Sequence, residues 1–445
     1  MFFLQFFSSF QRQNFNFQKI IFMKRFLLLA ISMYSFFAQA QKTLLHCGQL
    51  IDVNKLEVLK EQTIVVEGNK ITAVLPGYAK PAAGDKAVDL KKMTVMPGLI
   101  DMHVHIESET SPTRYLDAFT QNEADIAFGA LRFAERNLMA GFTTVRDLGG
   151  SGVNIAMRKA IQKGQVIGPR IYTAGKSIAT TGGHADPTNG YRSNLMGDPG
   201  PKEGVINSKE DAYKAVRQRY KDGSDVIKIT ASGGVLSMSA NGESPMFTEE
   251  EIKAIVSAAK DYGFKVAAHC HGTEAMKRAI RGGVNSIEHG SLMDEEIFPL
   301  MKEYGTYLVP TIIAGRSAAD SAKKPGYFPP MVAKKALDIG PRIQNTFGNA
   351  YKAGVKIAFG TDAGVFAHGN NWIEFKYMTE AGMPILEAIK TATVNAADLL
   401  GASAQLGSIE QGKLADIIAV DGDPRQSVDV MGKVKFVMKD GVIYK

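Results

Sequence analysis

The sequence predicts an α/β protein, a central TIM (β/α)8 barrel with a small β-sandwich built from both termini. Three observations carry this expectation. Between residues 96 and 404, short apolar strand signals alternate with helical stretches, the pattern of βα units around a parallel sheet. Eight such strand signals occur, the number that closes a barrel. The flanking stretches 42–95 and 405–445 both read as short strands broken by Gly, Asn and Lys, and neither has enough apolar residues for a core of its own.

Residues 1–40 read as leader rather than fold. Met23-Lys24-Arg25 precedes the apolar run from Phe26 to Phe37, and Ala38-Gln39-Ala40 supplies small residues for cleavage after Ala40. This is the pattern of a bacterial-type secretory signal, with Met23 as the start and Gln41 as the first mature residue. The run is short for a membrane span, which disfavours the alternative of an N-terminal anchor. Four of the +7 formal charges lie in this segment, so +3 remains for the rest. An excess that small implies no nucleic-acid or other polyanionic partner. Cys47 and Cys270, the two cysteines, are expected as buried free thiols rather than a disulfide.

In the N-terminal part, strands are expected at Thr43–Cys47, Leu50–Val53, Thr63–Glu67 and Ile71–Leu75; LADIIAV, KFVMKD and GVIYK supply the C-terminal ones. The barrel strands are expected at Leu99–His105, Thr143–Leu148, Arg170–Ala174, Val226–Thr230, Val266–His271, Ser286–Gly290, Tyr307–Thr311 and Lys356–Thr361. Helices are expected at Phe128–Ala140, Thr248–Tyr262, Thr273–Arg281 and Asp294–Tyr304. Thr248 followed by three glutamates fits an N-cap with an acidic first turn. The stretch 175–210 is rich in Gly, Asn, Asp and Pro and too long for a plain connection, so it is expected to cover the site.

Chemistry-bearing residues recur at the strand ends, where such barrels place their sites. In VMPGLIDMHVH, His103 and His105 are two apart on one strand and therefore converge. In DVIKIT, Ile227 and Ile229 face one way and Lys228 the other, into the barrel. An unpaired ammonium there is costly, so the lysine must be paired, neutral or chemically modified. VAAHCH puts His269 and His271 on one face, SIEHG supplies His289, and AFGTDAG delivers Asp362 at the last strand's end. Any one of these residues alone has an ordinary structural explanation. Six of them at the ends of strands one, four, five, six and eight point to a metal site.

Together, PGLIDMHVH, VIKITASGGV, VAAHCHG, SIEHGS and FGTDAG resemble the amidohydrolase superfamily over residues 43–445, and within it the imidazolonepropionase-related branch. That branch includes Xaa-Pro dipeptidases, metallocarboxypeptidases and amidases of ochratoxin-like N-acyl amino acids. The resemblance implies a distorted TIM barrel and two divalent metal ions, most simply zinc. His103 and His105 would bind one metal, His269 and His289 the other. Lys228 would be carboxylated (carbamylated) to bridge them, and Asp362 would complete the first site. Two metals would acidify a bridging water and polarise the substrate carbonyl, while Asp362 would take a proton and pass it to the departing amine.

Further candidates surround this set. His271 reads as a catalytic or substrate contact, with a purely structural neighbour of His269 as the alternative. His184, in Gly182-Gly183-His184-Ala185-Asp186, resembles a branch motif near the substrate. Tyr191, Arg192 and Ser108 are candidate substrate contacts, and His184, Tyr191, Arg192 and His271 together are expected to offer hydrogen-bond donors and positive charge to a free carboxylate. Ser232-Gly233-Gly234 is expected to let the backbone approach the site. His46 and His368 carry no assignment.

The expected function is an exported binuclear metal-dependent hydrolase cleaving the amide of a dipeptide or N-acyl amino acid. Its partner would be this small-molecule substrate, with no membrane association after signal cleavage. The resemblance also implies a homo-oligomer. A cyclic-amide hydrolase of imidazolonepropionase type is the alternative within the enzyme class. A catalytically inactive binding homologue is the alternative outside it, and retention of all six candidate metal residues speaks against that reading.

Overall fold

The computed structural model describes residues 41–239 and 241–445. The expected leader and signal segment, 1–40, lies outside the described residues. From Gln41 onward the chain opens with four strands: β1 (Lys42–Asp52), β2 (Glu57–Glu67), β3 (Lys70–Pro76) and β4 (Lys86–Pro97). The barrel strands follow: β5 (Leu99–Val104), β6 (Phe142–Asp147), β7 (Arg170–Thr173), β8 (Val226–Thr230), β9 (Lys265–Cys270), β10 (Ser286–His289) and β11 (Tyr307–Val309). β12 (Ile417–Val420), β13 (Val434–Lys439) and β14 (Val442–Ile443) end the chain.

Both termini enter one sheet, in the order β14-β13-β12-β4-β1-β2-β3. It curls back on itself. Ile71 N–H donates to Lys413 O (3.0 Å) and Ala415 N–H to Asn69 O (2.9 Å), which brings the two ends together. One core cluster is therefore shared by residues from both ends of the chain, including Leu45, Ile64, Val95, Ile417 and Phe436. Neither half could bury these side chains alone, and removing them from water is the main term holding the halves together. Cys47 and Cys270 are both buried and free, and burial pushes the Cys47 thiol up to about 12.

The barrel strands run parallel in two groups, β5-β6-β7 and β8-β9-β10-β11. Individual hydrogen bonds join the groups. Between β7 and β8, Asp225 N–H donates to Thr173 O (2.7 Å), Ile178 N–H to Lys228 O (2.8 Å) and Thr230 N–H to Ile178 O (3.0 Å). On the other side the eighth segment, expected as a strand at Lys356–Thr361, is held without a regular ladder. Leu308 N–H donates to Lys356 O (2.8 Å), Ala358 N–H to Leu308 O (3.0 Å), Met102 N–H to Phe359 O (2.9 Å) and His105 N–H to Ala363 O (2.8 Å). Side chains interrupt regular pairing here. The Asp101 carboxylate accepts from Thr361 N–H (3.1 Å) and Thr361 Oγ1 (2.6 Å). Asp362 then turns to φ +59°, out of the extended range.

The helices show what local sequence does and does not fix. Thr248 caps Glu249–Asp261 with a reciprocal pair of bonds: its Oγ1 accepts from Glu251 N–H (3.2 Å), while the Glu251 carboxylate accepts from Thr248 N–H (2.8 Å). Thr273–Arg281 has the expected bounds. The helix expected at Phe128–Ala140 begins earlier, at Glu123, because Asp125 bonds back to Asn122 N–H (2.9 Å) and caps a first turn without an apolar face. The helix expected from Asp294 starts at Ile297. Among the described residues, no helix is long and apolar enough to cross a membrane.

Candidate active site

Alternation along β8 decides the first feature. Ile227 and Ile229 enter the core between sheet and helices, and Lys228 points into the barrel, buried. Its Nζ lies 3.3 Å from His103 Nε2. Burial lowers the ammonium to about 8, which makes the neutral amine more accessible than in an exposed lysine.

Each of the four histidines at the centre has one ring nitrogen engaged by the surrounding protein and the other turned to the cavity, where His103 Nε2 also meets Lys228 Nζ. His103 Nδ1 donates to Glu288 Oε2 (2.9 Å) and His105 Nδ1 to Gly149 O (2.8 Å), so both Nε2 lone pairs remain. These point at the same atom, Asp362 Oδ1, at 3.5 and 3.3 Å. His269 donates through Nε2 to Gly233 O (3.0 Å), leaving Nδ1; His289 pairs Nδ1 with Thr311 Oγ1 (2.7 Å), leaving Nε2. The rings of His103 and His289 lie 5.0 Å apart, and those of His269 and His289 4.7 Å.

At four of the buried histidines the electrostatics favour the lone pair over the proton, and His105 is the exception. Burial holds His103, His184, His269 and His289 well below the usual histidine range, and neighbouring cations and imidazoles add to it. At His105, burial also opposes the proton, yet the Asp362 carboxylate outweighs it and raises the value. Burial would likewise raise Asp362, but His103, His105 and Lys228 prevail and keep it ionised. Asp362 Oδ1 is buried without a hydrogen-bond donor, and Thr230 Oγ1 and His184 Nδ1 on the same cavity are orphaned too. A carboxylate oxygen facing two imidazole lone pairs is unfavourable unless a cation sits between them. The donor set fits a divalent metal, and ligand atoms of His103, His289 and Asp362 all lie within 4.8 Å of one another. Backbone strain gathers here as well. His289, Thr311 and Asp362 all have left-handed φ, at +70°, +52° and +59°, as functional sites often do.

The cavity above this cluster encloses about 310 Å³. Ser108, His184 and His271 line it as expected. His271 Nδ1 pairs with Ser291 Oγ (2.9 Å), its N–H donates to Ser232 Oγ (3.0 Å), and burial lowers the imidazole to about 4. His184 stacks on His269, centroids 4.4 Å apart. The two glycines after Ser232 permit this approach. A Cβ on Gly234 would fall 2.0 Å from His184 Nδ1, and one on Gly233 would fall 1.9 Å from Asn241 O.

Tyr191 and Arg192 stand apart, and the cavity wall does not include them. Tyr191 packs edge-on against Phe119 (4.9 Å), and Arg192 is an exposed residue preceding a one-turn helix. The long loop reaches the site only through its first part, because Asp186 ties it back by accepting from Gly182 N–H (2.7 Å) and Thr188 N–H (2.9 Å). The two unassigned histidines are structural: His46 Nε2 bonds Ala79 O (2.9 Å), while His368 Nε2 donates to Ser108 O (2.9 Å) and buttresses the loop after His105.

Three functional neighbours were not singled out from the sequence. Arg146 is fully buried and donates to Met102 O (2.6 Å) and Glu288 Oε1 (2.8 Å); Glu288 in turn orients His103. Charged residues inside the apolar strands TTVRDL and SIEHG were the available signal. Lys335 donates to Gly234 O (2.7 Å), Ser237 O (2.8 Å) and Ser239 O (2.7 Å), pinning the loop that forms one cavity wall. Its signal was a lysine on an otherwise apolar helix face.

Residues 94–444 match the amidohydrolase family. The chain belongs to that family. It is a hydrolase acting on carbon–nitrogen bonds, and members of the family generally bind metal ions. It is 32% identical over 430 residues to an ochratoxinase of Aspergillus niger, covering 92% of this chain and 87% of the relative. With an imidazolonepropionase of Fusobacterium nucleatum subsp. nucleatum it shares 26% identity over 432 residues, 86% of this chain and 93% of that one. A solved structure of a Xaa-Pro dipeptidase with methionine bound in the active site superposes with a TM-score of 0.89 at 51% identity, covering 91% of this chain and all of that one.

Proposed function

We propose that this amidohydrolase is an exported, binuclear metal-dependent enzyme that cleaves the amide of a dipeptide or N-acyl amino acid bearing a free carboxylate. The observation that carries the metal reading is the orphaned Asp362 Oδ1 facing the Nε2 atoms of His103 and His105. His103, His105 and Asp362 would hold one cation and His269 and His289 the other, zinc being the simplest match to this nitrogen-rich set. Lys228, carbamylated on Nζ, would supply the anion between them; a neutral amine is what reacts with carbon dioxide, and burial makes it more accessible. When bound, the cations supply Lewis acidity at the scissile carbonyl and a more acidic water.

The chain's own residues do the rest. Asp362, held ionised, accepts a proton on its carboxylate from the attacking water and returns it to the departing amine nitrogen. His184 and His271, neutral and aimed into the cavity, hydrogen-bond and orient the substrate. The methionine in the dipeptidase-like structure, a free amino acid, supports the carboxylate-bearing substrate class. The signal-like pattern of residues 23–40 supports export, and the family resemblance supports a homo-oligomer. A cyclic-amide substrate is the second reading, favoured by the likeness to the imidazolonepropionase.

The test combines metal analysis with hydrolysis of a dipeptide and N-acyl amino acid library. Two metals per chain, loss of activity on chelation and cleavage of carboxylate-bearing amides are expected. Metal-independent activity, or turnover of cyclic amides alone, would overturn the proposal. N-terminal sequencing of protein from the native host should begin at Gln41.

A further inference from the structure

The cavity lining is chemically uneven. One wall is formed by small and apolar residues of the helices Ile312–Ala322 and Pro330–Ile339 and beyond, among them Ala314, Ala318, Ala336 and Ile339. Gly315 and Gly340 pack these helices so closely that a Cβ on Gly340 would fall 2.4 Å from Gly315 O, so this wall has no room to give. It offers nothing to a carboxylate.

Elsewhere in the cavity lining stands Arg114, the first residue of the helix Arg114–Thr120. It is half-buried. Among the described residues its guanidinium has no carboxylate partner and no hydrogen-bond acceptor, and it only lies beside the Tyr115 ring, 5.7 Å from the centroid. Two bonds fix its place. Tyr115 Oη donates to Leu236 O (3.0 Å), tying this helix to the loop after β8, and Thr110 N–H donates to Gly364 O (2.6 Å), tying the preceding turn to the segment after Asp362. Arg114 is thus held between the two loops that flank the metal cluster. Its charge reaches the cavity, where it helps to depress the proton affinity of His184.

Other cations do not compete for an anionic ligand. Lys228 sits beside His103 at the cluster itself, Lys335 spends its donors on three carbonyls, and Arg192 lies off the cavity. Among the described residues, Arg114 is therefore the one permanently charged cation on the wall that is free to bind. Guanidinium suits carboxylate, because its planar fork matches both oxygens.

We propose that Arg114 is a specificity-determining residue that binds the free carboxylate of the substrate, a role expected from sequence for His184, Tyr191, Arg192 and His271 together. This assignment rests on the carboxylate-bearing substrate class argued above. It orients the substrate with its anionic end toward the helix Arg114–Thr120 and its apolar side chain toward Ala314 and Ala336.

The test uses the metal-loaded enzyme and a panel of Ala-Xaa dipeptides and N-acyl amino acids, together with the C-terminal amide of the best one. Wild type should prefer acid over amide by about ten- to a hundredfold in kcat/KM, the scale of one charge-assisted contact. Arg114→Ala should collapse that preference toward one, mainly through KM for the acid, and Arg114→Lys should recover part of it. If wild type prefers the acid and Arg114→Ala keeps the same preference, the Arg114 assignment is wrong and the substrate class stands. Equal wild-type rates on acid and amide, or no cleavage anywhere in the panel, would overturn the substrate class and the anchor with it.

Discussion

Replacing Glu288 with Gln tests how the site is held without touching substrate. Glu288 is completely buried and accepts from three donors: Arg146 and Ser286 Oγ on Oε1, and His103 Nδ1 on Oε2. The amide has one acceptor oxygen and one NH2 group in place of two oxygens. It can satisfy Arg146 or His103, but not both. If the oxygen serves Arg146, the NH2 meets Nδ1 and drives the ring proton to Nε2, the atom that faces Asp362. If it serves His103, Arg146 loses this hydrogen bond, and in either orientation the buried guanidinium loses its counter-ion. Breaking one side of a buried ion pair costs about 3–5 kcal/mol, and losing the partner that orients a ligating histidine typically costs about 10–100-fold in metal affinity. Urea denaturation of the metal-free protein reads the first quantity, and competition with a zinc chelator the second. A Glu288→Gln protein with wild-type unfolding midpoint and wild-type zinc affinity would refute the orienting role.

Other expectations follow from the same geometry. Lys228→Ala should abolish activity and lower metal content, with partial rescue by short-chain carboxylates; full activity with two metals retained would exclude a bridging anion at this position. Asp362→Asn should keep the fold yet lower kcat by about 10²–10⁴-fold, the usual contribution of general acid–base catalysis, and a loss below tenfold with metals intact would move the proton carrier elsewhere. Gly234→Ala should displace His184, whose Nδ1 would lie 2.0 Å from the new Cβ, and raise KM while both metals stay bound; unchanged kinetics would remove His184 from the substrate contacts.

The sequence by itself determined seven of the eight barrel strands and the residues at their ends, whereas the expected strands Thr43–Cys47 and Leu50–Val53 are one continuous strand, β1, and β4 was not expected. Alternation in a strand is strict, so HVH, VIKIT and AHCH announce which side chains share a face before any fold is known. Turn chemistry is equally local, which is why the Thr248 cap was legible. Other features depended on residues far apart in the chain. Whether the eighth segment forms a ladder rested on Asp101, some 260 positions earlier, taking Thr361 N–H and Oγ1 with its side chain. His103 acquires its orientation from Glu288, and Glu288 its counter-ion from Arg146 on a third strand. Of the four residues expected to meet a substrate carboxylate, His184 and His271 line the cavity and Tyr191 and Arg192 do not, for the same reason. Tyr191 and Arg192 lie in the loop expected to cover the site, but Asp186 folds that loop back on itself, so its later part never reaches the cavity. Arg114, in an unremarkable polar stretch of sequence, is carried there by Tyr115 bonding to Leu236, 121 positions away. Local patterning sets which way a side chain points from its own strand; only the closed barrel, through long-range hydrogen bonds, decides what it points at.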